Sequence, residues 1–296
     1  MSDKPIINPH LAILCGVLAV SFSALFVRLS SAPPLIIATY RLLFTFLAMA
    51  PYSLWRHRRE LAEMGGRELL LAAISGAFLA LHFATWFTSL NYTTIASSVV
   101  LVTTQPIFVV IGSYILFRER VSRIGMIGGA VAMLGSFIIG AGDFRLGMTA
   151  FFGDLLALLA AILVSGYMII GRKLRSSVSL PAYTFVVYGS SAMVLVLISA
   201  FCRLPFAPYP AQDWLLFLGL ALVCTVGGHT IFNWVIRYVP ASTVSVSILG
   251  ESLGAILWGA IFLREMPGWR QIVGGSVIFA GLYLFTRGAA RRGAKA

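Results

Sequence analysis

The chain has 296 residues, of which 59% are hydrophobic and only 11% are charged, and its formal net charge is +12. A water-soluble domain carries about a quarter charged residues, so this composition excludes one and indicates a protein surrounded largely by lipid. The positive charges lie in short clusters between long apolar runs and form no basic patch with interleaved aromatic residues, which argues against nucleic-acid binding.

The long apolar runs predict ten membrane-spanning helices. A spanning helix needs about 20 mostly apolar residues. The stretch 69–117 contains no Asp, Glu, Lys or Arg and is too long for one span, so the chain must turn near residues 91–94. The predicted spans cover residues 10–29, 35–55, 69–90, 95–117, 122–141, 151–171, 180–201, 213–236, 241–263 and 268–286.

The distribution of Lys and Arg predicts the orientation of the spans. With the N-terminus inside, sixteen of the 22 Lys and Arg residues fall on the cytoplasmic side, five fall outside, and Arg41 lies within a span. Short cytoplasmic loops carry an excess of positive charge in membrane proteins. We therefore predict a multi-pass protein of the plasma membrane, a bacterial inner membrane, with both termini cytoplasmic.

The two halves of the chain resemble each other. A shift of 146 residues aligns 82–135 with 228–281 without a gap, and the identities cluster between 118 and 135, Glu119 with Glu265 among them. We predict an all-α integral membrane protein of two five-helix repeats, residues 1–147 and 148–296, around a central cavity. Because five is odd, the second repeat is inverted, as in secondary transporters that bind substrate between their halves. Duplicated units also occur in channels, so that alternative stays open.

Short motifs resemble those of EamA-type proteins of the drug/metabolite transporter superfamily. Residues 117–121 (FRERV), followed by Gly125 and Gly128-Gly129, are similar to the segment that closes the first half in that family. Residues 249–252 (LGES) are similar to a segment of its second half, although Ser252 stands where the family has a proline, which leaves open whether helix nine bends there.

The resemblance implies ten helices around a central cavity and efflux or exchange of amino acids, related metabolites or drugs. Within the family, the resemblance favours bacterial aromatic amino acid exporters of the YddG type. Gly125 and Gly129 on helix five permit close helix packing, either within the molecule or in a homodimer through helices five or ten. The expected partners are thus a small-molecule substrate and membrane lipid, with no cofactor.

Glu251 is the strongest single candidate for a functional role. It lies near the middle of the span 241–263, where a charged side chain costs roughly 2.5–3.5 kcal/mol on insertion scales. A carboxyl group there can take up and release a proton, as proton coupling requires, and a permanently protonated packing residue is the alternative. Its counterpart in the first half is Gln105, which has the same shape and cannot titrate, so coupling would be one-sided.

Polar side chains at helical spacing predict the walls of a substrate cavity. His82 and Trp86 share a face of helix three, and His229 and Asn233 share a face of helix eight. Polar groups are unfavourable against lipid, so both faces should point inward, where an imidazole and an indole can hold a zwitterion or an aromatic ring. Hydrogen bonding between helices without a ligand is the alternative. Further candidates for substrate binding are Gln105, Tyr167 and Trp258.

Four residues are expected to act in structure or gating. Arg41, about two turns inside helix two, either snorkels to the surface, contacts a carbonyl group or attracts an anionic substrate group. Pro106 removes one backbone donor and should kink helix four. Glu119 and Glu265 adjoin arginines at helix ends, which favours local ion pairs, with a gating salt bridge as the alternative.

No catalytic, zinc-binding or nucleotide-binding motif stands out, and the loops are too short to hold a catalytic domain. We therefore predict no enzyme, no catalytic residue and no metal. The expected function is secondary transport of a small metabolite, an amino acid and in particular an aromatic one, exported by alternating access. The alternatives are a channel or sensor, an exporter of another metabolite or drug, and a membrane enzyme that acts on lipid.

Overall fold

The computed structural model describes residues 5, 7–117, 122–175, 177–236, 238–239 and 241–293. Every regular element among these residues is helical, and a π-helical segment, Leu220–Thr230, lies between α11 and α12. The α-helices are α1 (Pro9–Ser21), α2 (Ser23–Leu29), α3 (Pro34–Arg56), α4 (Arg58–Glu63), α5 (Gly66–Ser89), α6 (Ile95–Val102), α7 (Gln105–Phe117), α8 (Arg123–Leu146), α9 (Met148–Leu174), α10 (Leu180–Phe201), α11 (Ala211–Gly219), α12 (Ile231–Val235), α13 (Ala241–Leu263) and α14 (Trp269–Gly293).

Six helical segments of the described residues are long and apolar enough to cross a membrane, and three shorter apolar helices fall inside predicted spans four, five and nine. The helical, multi-pass class is therefore confirmed, whereas the count of ten spans stays a prediction. The six long segments are Pro9–Leu29, Pro34–Arg56, Gly66–Ser89, Met148–Leu174, Leu180–Phe201 and Ala211–Val235.

The fourth predicted span consists of two helices, α6 and α7. The helix stops at Thr103 and Thr104, just before Pro106, where the sequence predicts a kink. Pro106 cannot donate a backbone hydrogen bond, and its ring clashes with the preceding turn. The two threonine hydroxyls donate to carbonyl groups one turn back at 2.9 and 2.7 Å, so they stabilise the turn at the break.

The ninth predicted span, α13, is one continuous helix through Ser252. The Ser252 hydroxyl lies 3.0 Å from the hydroxyl of Thr103 and donates to the carbonyl of Val99 at 3.3 Å. Ser252 therefore joins α13 to the break between α6 and α7.

The eighth predicted span changes its pitch along its length. It begins as α11, widens into the π-helical segment and ends as α12. Inside the segment the Thr225 hydroxyl donates to the Leu220 carbonyl at 3.0 Å. Such wide turns are rare and often accompany functional sites, and the last turn of this one contains His229.

The main hydrophobic core lies between α3, α5, α9 and α10, and Phe83, Tyr183 and Tyr188 are fully buried in it. A second cluster joins α1 to α12 and α13. The first helix of the chain thus packs against helices of the second half, so the two halves are interleaved.

Helices α8 and α14 pack backbone against backbone. A Cβ atom at Gly128 would lie 2.4 Å from the backbone nitrogen of Phe285, and one at Gly135 would lie 2.6 Å from the carbonyl oxygen of Gly274. Only glycine fits such contacts. Predicted helices five and ten therefore pack against each other within the molecule, and a homodimer through them stays a prediction.

Candidate functional site

A cavity lies among α5, α6, α7, α9, α12, α13 and the π-helical segment. Its wall combines apolar side chains, such as Val164 and Ile248, with polar ones. Of the residues that the sequence nominates for substrate binding or proton coupling, these lie at the wall: His82, Trp86, Gln105, Tyr167, His229, Asn233 and Glu251. The structure brings them together from both halves of the chain, and their contact with a substrate stays a prediction.

The His82 and Trp86 rings form an aromatic shelf at the cavity wall. Their centroids lie 5.8 Å apart with an interplanar angle of 25°. The Nδ1 atom of His82 lies 2.9 Å from the carbonyl oxygen of Ala160. Because a carbonyl can only accept, Nδ1 carries the hydrogen, and in the neutral form of the ring Nε2 is then an acceptor. The shelf is therefore an aromatic part of the wall that also carries polar nitrogen atoms.

Tyr167 and Asn233 join α9 to α12 at the cavity wall. The Asn233 amide donates to the Tyr167 hydroxyl at 2.6 Å. Behind them the Tyr188 and Thr230 hydroxyls lie 2.9 Å apart. This network fixes the orientation of Tyr167 and Asn233. It is hydrogen bonding between helices, the alternative to ligand contact that the sequence left open.

Trp258 does not lie at the cavity wall. Its ring stacks on Phe22 at a centroid distance of 4.6 Å, and its Nε1 donates to the Ser21 hydroxyl at 2.9 Å. The residue therefore holds α13 against the junction of α1 and α2, which is a packing role.

Arg41 does not snorkel, which corrects the sequence-based expectation. The side chain is fully buried. Its Nε donates to the Thr225 hydroxyl at 2.8 Å and its Nη1 to the Ser23 hydroxyl at 3.2 Å, so its partners are hydroxyls and not carbonyl groups. The guanidinium lies 4.0 Å from the centroid of the Phe83 ring, and it interacts electrostatically with Glu251.

Glu265 pairs with a residue from the other half of the chain, not with an adjoining arginine. Its Oε2 lies 2.9 Å from Nη2 of Arg28, and its Oε1 accepts from the backbone N–H of Ile95 at 2.5 Å. Arg28 also donates to the Leu90 carbonyl at 2.8 Å. This cluster, which we call the Glu265 end, ties α2, the turn before α6 and the loop after α13 together. Glu119 lies outside the described residues.

The Glu265 end and the exposed Arg172 lie at opposite ends of the helix bundle. Thr93, in the turn before α6, donates to the carboxylate of Asp154 near the start of α9 at 2.9 Å. Arg172 is near the end of α9, about 27 Å further along the helix axis. The cavity wall includes Arg172 and Ile236, so the cavity extends to the Arg172 end.

At the Arg172 end, Glu60 of α4 anchors the start of α10. Its carboxylate accepts from the backbone N–H and the hydroxyl of Ser179, both at 2.6 Å, and lies 3.0 Å from His57. Partial burial raises the pKa of Glu60, but the bonds from Ser179 and the contact with His57 outweigh burial and leave this pKa below its ordinary value. The short helix α4 therefore acts as a brace between the two halves.

Disrupting the Glu265 end should loosen the start of α6. We expect Arg28→Gln and Glu265→Gln each to raise amide hydrogen exchange over residues 94–98 about fivefold, since a partly exposed ion pair is worth about 1 kcal/mol. The double variant should add little, because both changes break one contact. The control is Arg264→Gln, whose arginine adjoins Glu265 without pairing with it among the described residues. A fivefold rise in this control would contradict the pairing.

Comparison with known proteins assigns the family. The sequence profile of the EamA-like transporter family matches residues 8–141 and again residues 151–287. The chain belongs to this family. It is thus a multi-pass membrane protein of a family of transporters, and the EamA resemblance of its motifs is confirmed.

Curated relatives of this EamA chain carry transporter names. An uncharacterized transporter of Archaeoglobus fulgidus is 25% identical over 284 residues, which cover 93% of this chain and 96% of the relative. The uncharacterized transporter YdfC of Bacillus subtilis is 26% identical over 279 residues, which cover 92% and 88%. One crystal structure shares the fold with a TM-score of 0.67 at 19% identity, covering 96% of this chain and 98% of that one.

Several features of the site have no signal in the sequence pattern. Phe83 and Thr225 surround Arg41, and Arg28 pairs with Glu265 from 237 positions away. The cavity wall also includes residues that the sequence did not nominate for it: Val102, Thr103, Val164, Met168, Gly171, Arg172, Phe232, Ile236, Val244 and Ile248.

Proposed function

We propose that the protein is a secondary carrier that moves a small metabolite across the membrane by alternating access between two inverted halves, residues 1–147 and 148–296. In this proposal ten helices span the plasma membrane, a bacterial inner membrane, and both termini are cytoplasmic. The double match to the EamA family and the excess of Lys and Arg in one set of loops support it.

The contacts between α8 and α14 support the relation between the halves. Gly128 faces the carbonyl of Gly281 at 2.6 Å, and Gly135 faces the carbonyl of Gly274 at 2.6 Å, measured from an added Cβ. A shift of 146 residues relates Gly128 to Gly274 and Gly135 to Gly281, so the repeat relation maps each of these two contacts onto the other. A two-fold axis between the halves has this property, because it exchanges the two partners of a contact.

The observation that carries the proposal is the shape of the cavity. It collects polar side chains from both halves, extends to the exposed Arg172 at one end and stops short of the cluster that joins Arg28 to Glu265 at the other. A carrier must close one end while the other is accessible, and buried polar groups at the interface of repeats are typical of its binding site.

For the substrate we propose an amino acid, in particular an aromatic one, exported as by the YddG-type members of the family. The shelf of His82 and Trp86 suits a ring, because offset stacking stabilises aromatic pairs. Glu251, an acidic group at the wall, is proposed to carry the coupled proton.

Counterflow in proteoliposomes tests the carrier. Vesicles loaded with unlabelled phenylalanine, or another amino acid of a full set, should transiently accumulate the labelled compound from outside. A carrier exchanges unlabelled substrate from inside for labelled substrate from outside at one alternating binding site. A channel has no such site, so it gives no transient accumulation of label. Downhill flux without counterflow for every transported compound would replace the carrier by the channel.

A further inference from the structure

We propose that the cavity contains a carboxylate subsite, formed by the indole N–H of Trp86 in the positive field of Arg41. The proposal rests on the proposed function, because it names the group by which the substrate of the same cavity is recognised. Two independent observations lead to it, a charge and a donor.

The charge belongs to Arg41, which is fully buried among membrane-spanning helices. Two of its nitrogens donate to the hydroxyls of Ser23 and Thr225, and its Nη2 has no acceptor among the described residues. Hydroxyls and an aromatic ring solvate a guanidinium without neutralising it. No carboxylate in the described part of the chain lies within 4 Å of it. A charge in this position is unfavourable unless an opposite charge balances it.

The charge of Arg41 lies one ring behind the cavity wall. Its guanidinium is 4.0 Å from the centroid of Phe83, and the Phe83 ring is 4.8 Å from His82 and 5.5 Å from His229, which both line the cavity. Electrostatic interactions are stronger across a protein interior than across water, so this charge acts on groups inside the cavity. It makes the wall near His82 and His229 attractive to anions.

The donor belongs to Trp86, which lines the cavity and is 2% exposed. Its Nε1 has no acceptor among the described residues. An indole N–H can only donate, and a buried donor without an acceptor is unfavourable. The neighbouring Nδ1 of His82 is already engaged with Ala160. A donor at the wall and a positive charge behind it together favour a ligand that brings an anionic acceptor.

A carboxylate meets these two requirements better than a phosphate. One N–H and one charge behind the wall suit a monoanion with two oxygens, whereas a phosphate dianion would leave most of its oxygens without donors. Glu251 interacts electrostatically with Arg41 and also lies at the wall. A zwitterion would therefore direct its carboxylate to Trp86 rather than to the acidic Glu251.

The test compares two probes that differ only in the carboxylate. Phenylalanine and phenylalaninamide share the ring and the amine, so their affinity ratio for the purified full-length protein in detergent isolates the carboxylate. We expect the wild type to prefer the acid by about tenfold or more. In Arg41→Gln and in Trp86→Phe this ratio should fall towards one, whereas Arg41→Lys, which keeps the charge, should retain most of it. Trp258→Phe, away from the cavity, should keep the full ratio.

The ratio separates recognition from folding, because partial unfolding lowers the affinity for both probes alike. Equal affinity for acid and amide in the wild type overturns the subsite, and so does an undiminished preference in both Arg41→Gln and Trp86→Phe. Absence of binding for both probes overturns it as well. A preference for the acid without counterflow in proteoliposomes supports the subsite and contradicts the carrier, so the two proposals fail in distinguishable ways.

Discussion

Glu251→Gln should abolish accumulation driven by a pH gradient and leave counterflow in place. One proton exchanged per substrate at a gradient of one pH unit supports about tenfold accumulation, and we expect the variant to reach only equal concentrations on both sides. Glutamine keeps the shape and the hydrogen bonds of a protonated glutamate but cannot exchange a proton, and the wall already contains such a residue at Gln105. The measurement is uptake into proteoliposomes with and without the gradient.

The matched control for this change is Glu63→Gln. Glu63 is an exposed carboxylate at the end of α4, away from the cavity wall. Its removal changes the net charge by the same amount and should leave accumulation untouched. Undiminished accumulation in Glu251→Gln would eliminate the coupling role, and loss of counterflow along with accumulation would assign the residue to binding.

Gly128→Ala should destabilise the protein, whereas the adjacent Gly129→Ala should not. The new Cβ at Gly128 would meet the backbone of Phe285 and Gly281 at 2.4 and 2.6 Å, and backbone atoms cannot rotate away. Overpacking of this kind costs about 1–3 kcal/mol. At Gly129 the nearest atoms belong to the Phe285 ring at 3.6 Å, an ordinary contact. Replacing this glycine by alanine should stabilise the helix by up to about 1 kcal/mol, because alanine has the higher helix propensity.

The readout is thermal unfolding in detergent, in which 1 kcal/mol shifts Tm by roughly 2–4 °C for a chain of a few hundred residues. The same contrast should recur in the second half. Gly274→Ala would bring a Cβ within 2.6 Å of the Ile139 side chain and 2.8 Å of the Gly135 carbonyl oxygen. At Gly275 the nearest atom to an added Cβ belongs to the Val100 side chain at 3.7 Å, an ordinary contact. Equal Tm values for Gly128→Ala and Gly129→Ala would refute the close packing of α8 on α14.

Much of the helix pattern is predictable because hydrophobicity along the chain is a local property. The turn near residues 91–94 and the unbroken course of 34–56 follow from apolar length and charge alone. The junction of α1 and α2 at Phe22 and the π-helical segment have no such signal, since neither contains proline. Both features depend on packing between helices. At the junction, Phe22 stacks on Trp258, and in the π-helical segment Thr225 accepts a hydrogen bond from Arg41.

Part of the cavity wall is predictable for a related reason. Polar side chains are unfavourable against lipid, so His82, Trp86, His229 and Asn233 had to face protein or water, and the structure places all four around one cavity. The same reasoning fails for long side chains. Arg41 can either reach the surface or stay inside, and only the hydroxyls supplied by other helices decide between these options.

The pairing of Glu265 is a further limit of sequence reasoning. Neighbouring arginines made a local ion pair the simplest interpretation, yet the partner is Arg28. Which helix ends meet depends on how the two halves are placed against each other. No pattern within either half contains that information.

Sided labelling of a cysteine inside the cavity tests the alternating-access claim most directly. Val164 lies at the wall, about two turns deeper along α9 than Arg172, and Val164→Cys would be made in a chain with Cys15, Cys202 and Cys224 replaced. An impermeant thiol reagent should react from the Arg172 side about tenfold faster or more than from the Glu265 side, and added substrate should raise the reaction from the Glu265 side. Equal reaction from both sides without substrate would contradict alternating access.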